Sequence, residues 1–322
     1  MSNDPHTTPD KVVDDDRGIF WFMQDKDIKL PKANINLLIF SDQVNSSPRT
    51  FLLADLYVNV LKKGLEKWLT PFAYAGLGVE LGSSERGIDL SVGGYSPKLP
   101  QLMKDVVDRL KKITITDKEF DAIKTNYQRS FDNFELKKAT SQAAYHSDVI
   151  LSKNSFHRDS YVPLLNSITL DDVKIFASEV YQKIAVEGVA YGNLDPQDMK
   201  GIIDHLYTSL QSQILPVEKR QDNISLKLPI GQPRSYVRLS KDNNFGWVLN
   251  LPLGARNPKN KAICGILDKH FGYAFFNEMR TKRQYGYIVN AYAYLGKKNV
   301  GLELGILSPQ QTASFLSKQS LT

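Results

Sequence analysis

Apolar residues follow two rhythms along this chain. Over residues 33–40 they alternate around Ile35, Leu37 and Ile39, the two-residue period of a half-buried strand, and residues 19–23 form a shorter, continuously apolar run ahead of it. After Ser47 and Pro48 the period lengthens: Leu53, Leu56, Tyr57, Val60, Leu61 and Leu65 recur at three and four, which predicts an amphipathic helix stopped by Pro71. The stretch 73–96 reads as a hairpin turning at SSERG. Helices are expected at 97–113, from the Thr116/Glu119 capping box to about 136, at 141–151, from Thr169 with Asp172, and from Asp195 with Pro196 in its first turn. Residues 186–194 read as a strand, and the polar residues 216–223 as a linker. Beyond it, strands are expected at 236–239 and 245–253, then a helix over 260–279, a turn at Gly286 and a hairpin around 296–300.

Two parts of this pattern superpose. Asn34 matches Asn244, Leu56 matches Ile266, Leu65 matches Phe275 and Gly76 matches Gly286, all at an offset of 210 residues; Ser96 and Pro97 match Ser308 and Pro309 at 212. The register predicts an α+β unit present twice, each copy a mainly antiparallel sheet packed by helices. Residues 1–17 are then an acidic tail, 18–222 one complete unit and 223–322 the first half of a second. The roughly hundred largely helical residues that end the first copy have no counterpart in the second. A half-unit of this kind exposes sheet that helices should cover, so it calls for a partner.

Composition is that of an ordinary soluble globular chain, with no apolar run long enough for a membrane helix. The first residues lack the basic and apolar regions of a signal peptide and are expected to be a solvated tail. Net charge is +6, and residues 1–16 carry five Asp against one Lys, leaving about +10 for the remainder. That raises nucleic-acid binding. The basic residues, however, are scattered singly or as pairs such as Lys62–Lys63 and Lys297–Lys298, without interleaved aromatics, so neither nucleic acid nor membrane is expected as a partner. A single cysteine, Cys264, excludes an internal disulfide framework and sits where a buried structural thiol belongs.

The candidate chemistry is concentrated in residues 277–289, NEMRTKRQYGYIV, where the last long helix turns at Gly286 into a strand. Arg280 and Tyr287 stand seven residues apart there, and a guanidinium and a phenol beside a glycine turn can hold a peptide carbonyl and its developing oxyanion. The duplication supplies a control. Gly76 and Gly286 recur in both copies, as a need for positive φ or for close backbone approach requires. Arg280 and Tyr287 are replaced by Thr70 and Leu77, so the fold alone does not demand them. Each also has a structural use, a cation at a helix C-terminus and a good strand former. Elsewhere the chemistry is missing. His6, His146, His157, His205 and His270 are separate in sequence, and none forms an H-E-x-x-H or H-x-x-E-H pair. No metal ligands and no cofactor site are expected in this chain, and no nucleophile elbow or P-loop appears.

These residues carry a family resemblance. LPKAN within residues 21–40, the AGLGVELGSSERGIDLSVGGYSPKL run, VEGVAYGNL and RTKRQYGYIV together resemble the C-terminal half of the pitrilysin and insulin-degrading metalloproteases, the inverzincins, over roughly residues 18–310. The resemblance implies a third-domain-like unit followed by part of a fourth, in an enzyme whose two halves close around a peptide. It implies that zinc is held by the first domain, through an H-x-x-E-H motif this chain does not contain. Arg280 and Tyr287 then correspond to an Arg and a Tyr that reach across to the substrate carbonyl; Tyr285 stands where relatives usually carry Leu. The chain is thus expected to be the non-zinc-binding half of a metalloendopeptidase, inactive without a zinc-bearing N-terminal half, its compartment set by that half. The alternative is a scaffold or peptide-binding subunit of the same fold, and a homo-oligomer is a further possible assembly.

Overall fold

A computed structural model describes residues 8–220, 234–296 and 298–320. In chain order its elements are β1 (Asp10–Asp15), β2 (Gly18–Gln24), β3 (Lys32–Phe40), α1 (Pro48–Tyr74), β4 (Leu77–Ser84), β5 (Gly87–Tyr95), α2 (Leu99–Val107), α3 (Asp117–Glu135), α4 (Ala139–Leu151), α5 (Arg158–Tyr161) and α6 (Leu170–Glu179). There follow β6 (Lys183–Gly192), α7 (Pro196–Leu210), β7 (Gln213–Ile214), β8 (Phe245–Ala255), α8 (Pro258–Phe276), β9 (Ile288–Leu295), β10 (Asn299–Ser308) and α9 (Ala313–Ser320). They form two compact units, Met1–Asn126 with Arg158–Asp222, and Tyr127–His157 with Asn223–Thr322.

The first unit is built on one sheet in the order β1-β2-β6-β3-β5-β4, with β7 beside β6. All pairings are antiparallel except β2–β6 and β6–β7. The alternation read in residues 33–40 is realised in β3: Ile35, Leu37 and Ile39 are buried while Asn34 and Asn36 are exposed. Ser47 caps α1 by accepting the Thr50 N–H, and the capping boxes at Thr116/Glu119 and Thr169/Asp172 both form. The core under the helices closes on a polar contact: the Tyr57 hydroxyl lies 2.7 Å from both the Leu110 carbonyl and the Tyr181 hydroxyl.

The second unit carries a three-stranded antiparallel sheet in the order β8-β10-β9. It repeats the order β3-β5-β4, with α8 standing where α1 stands in the first unit. The repeat is in register at the helix start, where Ser47 and Pro48 correspond to Asn257, whose side chain accepts the Asn260 N–H, and Pro258. One face of the sheet joins α8 and α9 in a core of Trp247, Phe275, Met279, Val289, Leu304, Ile306 and Leu316. The other meets α4: the Asn250 amide donates to the Ser147 hydroxyl, and the Ala139 N–H to the Asp242 carboxylate at 2.8 Å.

Several expectations need correction. Residues 10–15, assigned to the acidic tail, form β1. Val13 is buried, and Lys11–Asp14 and Arg17–Asp15 ion pairs, each at 2.8 Å, offset the strand's like charges. Residues 1–7 lie outside the described residues. Pro71 does not stop α1, which continues to Tyr74; in the last turn a proline forfeits only one backbone bond. Residues 236–239 are not a strand, and Tyr236, Val237 and Leu239 are exposed. The linker read at 216–223 is described only to Arg220, with a short helical turn at Val217–Lys219. Residues 127–157, read as part of the first copy, fall in the second unit because α4 packs on β8 and covers sheet that the linear reading left bare.

Candidate functional site

Arg280 stands on a turn wider than an α-helix. α8 continues into a π-helical turn, Asn277–Lys282, in which the Arg283 N–H reaches the Glu278 carbonyl and the Tyr285 N–H the Met279 carbonyl. Met279 anchors this turn in the core. Glu278 ties its outer side to Arg283 at 2.7 Å and Lys282 at 3.1 Å. The chain then leaves through Gln284, whose φ is 54°, and enters β9.

Arg280 and Tyr287 stand at the two ends of this turn. Arg280 Nη1 donates to the Gly286 carbonyl at 3.0 Å, so the guanidinium lies against the peptide that joins Gly286 to Tyr287. Both side chains are exposed, Tyr287 at 47%. Among the described residues no carboxylate pairs with Arg280 and the Tyr287 hydroxyl has no hydrogen-bond partner. A guanidinium and a phenol are thus exposed at one helix–strand junction, each with hydrogen-bond donors to spare. Tyr285 takes a supporting place: its ring packs edge-on against Phe315 of α9 at 5.3 Å, with Arg283 over its other side.

The repeated glycines serve different needs. Gly76 has φ 76°, which side-chain-bearing residues rarely adopt. Gly286 has no such φ; a Cβ there would lie 2.4 Å from the Leu307 carbonyl oxygen. At this junction of the second copy the positive φ falls instead on Gln284, so the same junction is turned by different means in the two copies.

Sequence reasoning separated histidines that the fold joins. His146 Nδ1 and His157 Nε2 are 2.7 Å apart, their rings stacked at 4.7 Å and both against Tyr236. The helix–loop spacing of eleven residues gave no signal of this. His205 instead faces the Asp108 carboxylate at 2.8 Å, His270 is exposed on α8, and His6 lies outside the described residues. Cys264 is fully buried, and burial pushes its thiol up. Among the described residues, no three His, Cys, Asp or Glu side chains converge to hold a metal ion. The residues described here thus do not fit a zinc site. No described helix is long and apolar enough to cross a membrane.

The chain is an α+β module whose sheet order recurs in a second unit, with Arg280 and Tyr287 at the helix–strand junction of that second copy. The chain belongs to the M16 peptidase family: residues 1–162 match its middle or third domain and residues 167–313 its inactive domain. It is 28% identical over 296 residues to the insulin-degrading enzyme of Bos taurus, and 27% identical over 287 residues to a nardilysin-like protein of Arabidopsis thaliana. Each alignment covers 87% of this chain but 28% of the relative, so the chain spans under a third of their length. The fold is similar to that of pitrilysin, with a TM-score of 0.86 over 98% of this chain and 33% of pitrilysin, at 20% sequence identity.

Proposed function

We propose that this chain forms the non-zinc-binding wall of a metalloendopeptidase chamber, where Arg280 and Tyr287 donate hydrogen bonds to the carbonyl oxygen of a bound peptide. The observation that carries this reading is the contact of Arg280 with the Gly286 carbonyl. It fixes the guanidinium beside the backbone that bears Tyr287, and two exposed donors held by one turn can meet a single oxygen. Donors fixed in advance stabilise charge that develops on that oxygen without reorganising. Zinc, by family resemblance, belongs to a separate N-terminal half, and closure of the two halves would bring the wall to the peptide and exclude water.

The test is a peptidase assay with zinc, on this chain alone and with a zinc-bearing N-terminal half of the same family. Activity is expected only in the mixture, falling when Tyr287 becomes Phe. Zinc-dependent turnover by the purified chain alone would overturn the reading. A second reading, a peptide-binding or scaffold subunit without a catalytic role, is favoured by the match of residues 167–313 to a domain described as inactive. It predicts peptide binding that needs Arg280 and a mixture that remains silent.

A further inference from the structure

The left-handed residue between α8 and β9 is held from both sides. Gln284 has φ 54°, a conformation unfavourable to a residue with a side chain, which persists only where its surroundings impose it. Its neighbours are Arg283 and Tyr285. Their backbone N–H groups reach the Glu278 and Met279 carbonyls at 3.0 Å and 2.9 Å, and their side chains are tied as well. Arg283 Nε donates to the Glu278 carboxylate at 2.7 Å, within the π-helical turn. Its Nη1 donates to the side-chain carbonyl of Gln319 on α9 at 3.2 Å, and the Tyr285 hydroxyl reaches the same oxygen at 3.4 Å. The Arg283 guanidinium also lies 5.8 Å from the centre of the Tyr285 ring, which packs on Phe315. A single exposed ion pair restrains little. A planar guanidinium that joins a carboxylate, an amide and a ring restrains more, because its donors are rigid relative to one another.

The internal repeat shows when such a brace is used. At the 210-residue offset, Arg283 and Tyr285 correspond to Ala73 and Ala75. The first copy takes its positive φ at Gly76, where no side chain opposes it, and its alanines can make no comparable ties. The brace therefore accompanies the copy that turns on a residue with a side chain, and that copy also carries Arg280 and Tyr287.

We propose that Arg283 is a positioning residue: bonded to Glu278 and Gln319 and laid against the Tyr285 ring, it holds Gln284 in its left-handed conformation and so keeps Arg280 and Tyr287 presented to one peptide carbonyl. It acts through these two residues and does not itself bind the peptide. Donors stabilise a developing charge best when they need not reorganise, and the brace removes one way in which they could. The role rests on the peptide-carbonyl reading of Arg280 and Tyr287, but the restraint it requires can be measured without any activity.

The substitution is Arg283→Met, which keeps much of the stem and removes the fork. In the full chain, hydrogen exchange at the Tyr285 amide should quicken about tenfold or more, with the unfolding midpoint unchanged, since only the junction opens. In the enzyme reconstituted with a zinc-bearing half, kcat should fall about tenfold while KM holds. In a Tyr287→Phe background the same substitution should cost less than it does alone, because groups that act as a unit are not additive, whereas an independent effect would multiply in full. Unchanged exchange at Tyr285 would overturn the proposal. So would fully multiplicative losses, or a kcat that Tyr287→Phe lowers and Arg283→Met leaves alone; each of these sinks the positioning role and spares the carbonyl reading. A kcat unmoved by Tyr287→Phe would sink the carbonyl reading itself, and this role with it.

Discussion

The Arg280 guanidinium donates to the Gly286 carbonyl at 3.0 Å, spanning the turn that carries the chain from the π-helical end of α8 into β9. One contact thereby links a residue of the helix to the peptide bond preceding Tyr287. It gives the arginine a structural task in addition to the recognition task proposed for it, and the two can be separated by experiment.

Replacing Arg280 with Ala leaves the Gly286 carbonyl without this donor. The expected loss is about 1 kcal/mol of stability in the second unit, the usual net worth of one such bond. Arg280→Lys should keep the charge but not the planar fork. Thermal unfolding of both variants measures the structural share; peptide affinity in the reconstituted enzyme measures the remainder.

Tyr287→Phe removes a hydroxyl that bonds to nothing among the described residues. Unfolding should therefore be unchanged, while kcat of the reconstituted enzyme falls ~10–1000-fold, the scale of losing an oxyanion donor. An unchanged kcat would return Tyr287 to the ordinary work of a strand residue.

The two repeated glycines should respond oppositely to asparagine. At Gly76 the obstacle is φ 76°, a region Asn tolerates, and the nearest atoms belong to the exposed ring of Tyr95, which can swing away. At Gly286 the obstacle is the Leu307 backbone carbonyl, which cannot. Gly76→Asn should thus be milder than Gly76→Ala, whereas Gly286→Asn should be at least as damaging as Gly286→Ala, itself costing about 1–3 kcal/mol. Denaturant midpoints of the four variants decide this.

Tyr57→Phe should destabilise the first unit by about 1–3 kcal/mol, because the Leu110 carbonyl and the Tyr181 hydroxyl lose their buried partner. The matching change Tyr181→Phe leaves the bond to Leu110 intact and should cost less.

Asp172 makes an acid-sensitive contribution. The Thr169 backbone N–H, then the Thr169 hydroxyl and Arg49, hold its carboxyl below the ordinary carboxylate value. A group lowered in the folded state stabilises fully above its unfolded pKa, near 4, and that stability is lost as pH falls through the folded value. Asp172→Asn should therefore narrow the stability gap between neutral and acid solution, as measured by urea midpoints at pH 7 and pH 3.

Much of this molecule was legible from residue order because it depends on neighbours in the chain. The alternation of β3, the caps at Ser47, Thr116 and Thr169, the β4–β5 hairpin and the 210-residue repeat are all set by spacing, and the fold keeps them. Residues 10–15 were misread because five aspartates in the first sixteen residues outweighed the single apolar point at Val13, which only the neighbouring strand makes valuable. Spacing also placed Arg280 and Tyr287 at one junction.

What spacing could not supply was decided by contacts distant in sequence. Whether Gly286 answers a dihedral or a crowded backbone depends on where Leu307 passes; that His146 meets His157 depends on a loop folding back; that α4 belongs to the second unit depends on β8, about a hundred residues further on. The sequence by itself determined the elements, their duplication and the family, because those rest on local periodicity and motif. The tertiary structure alone decided which faces are covered and which side chains are held together, because burial and through-space contact are properties of the packed chain.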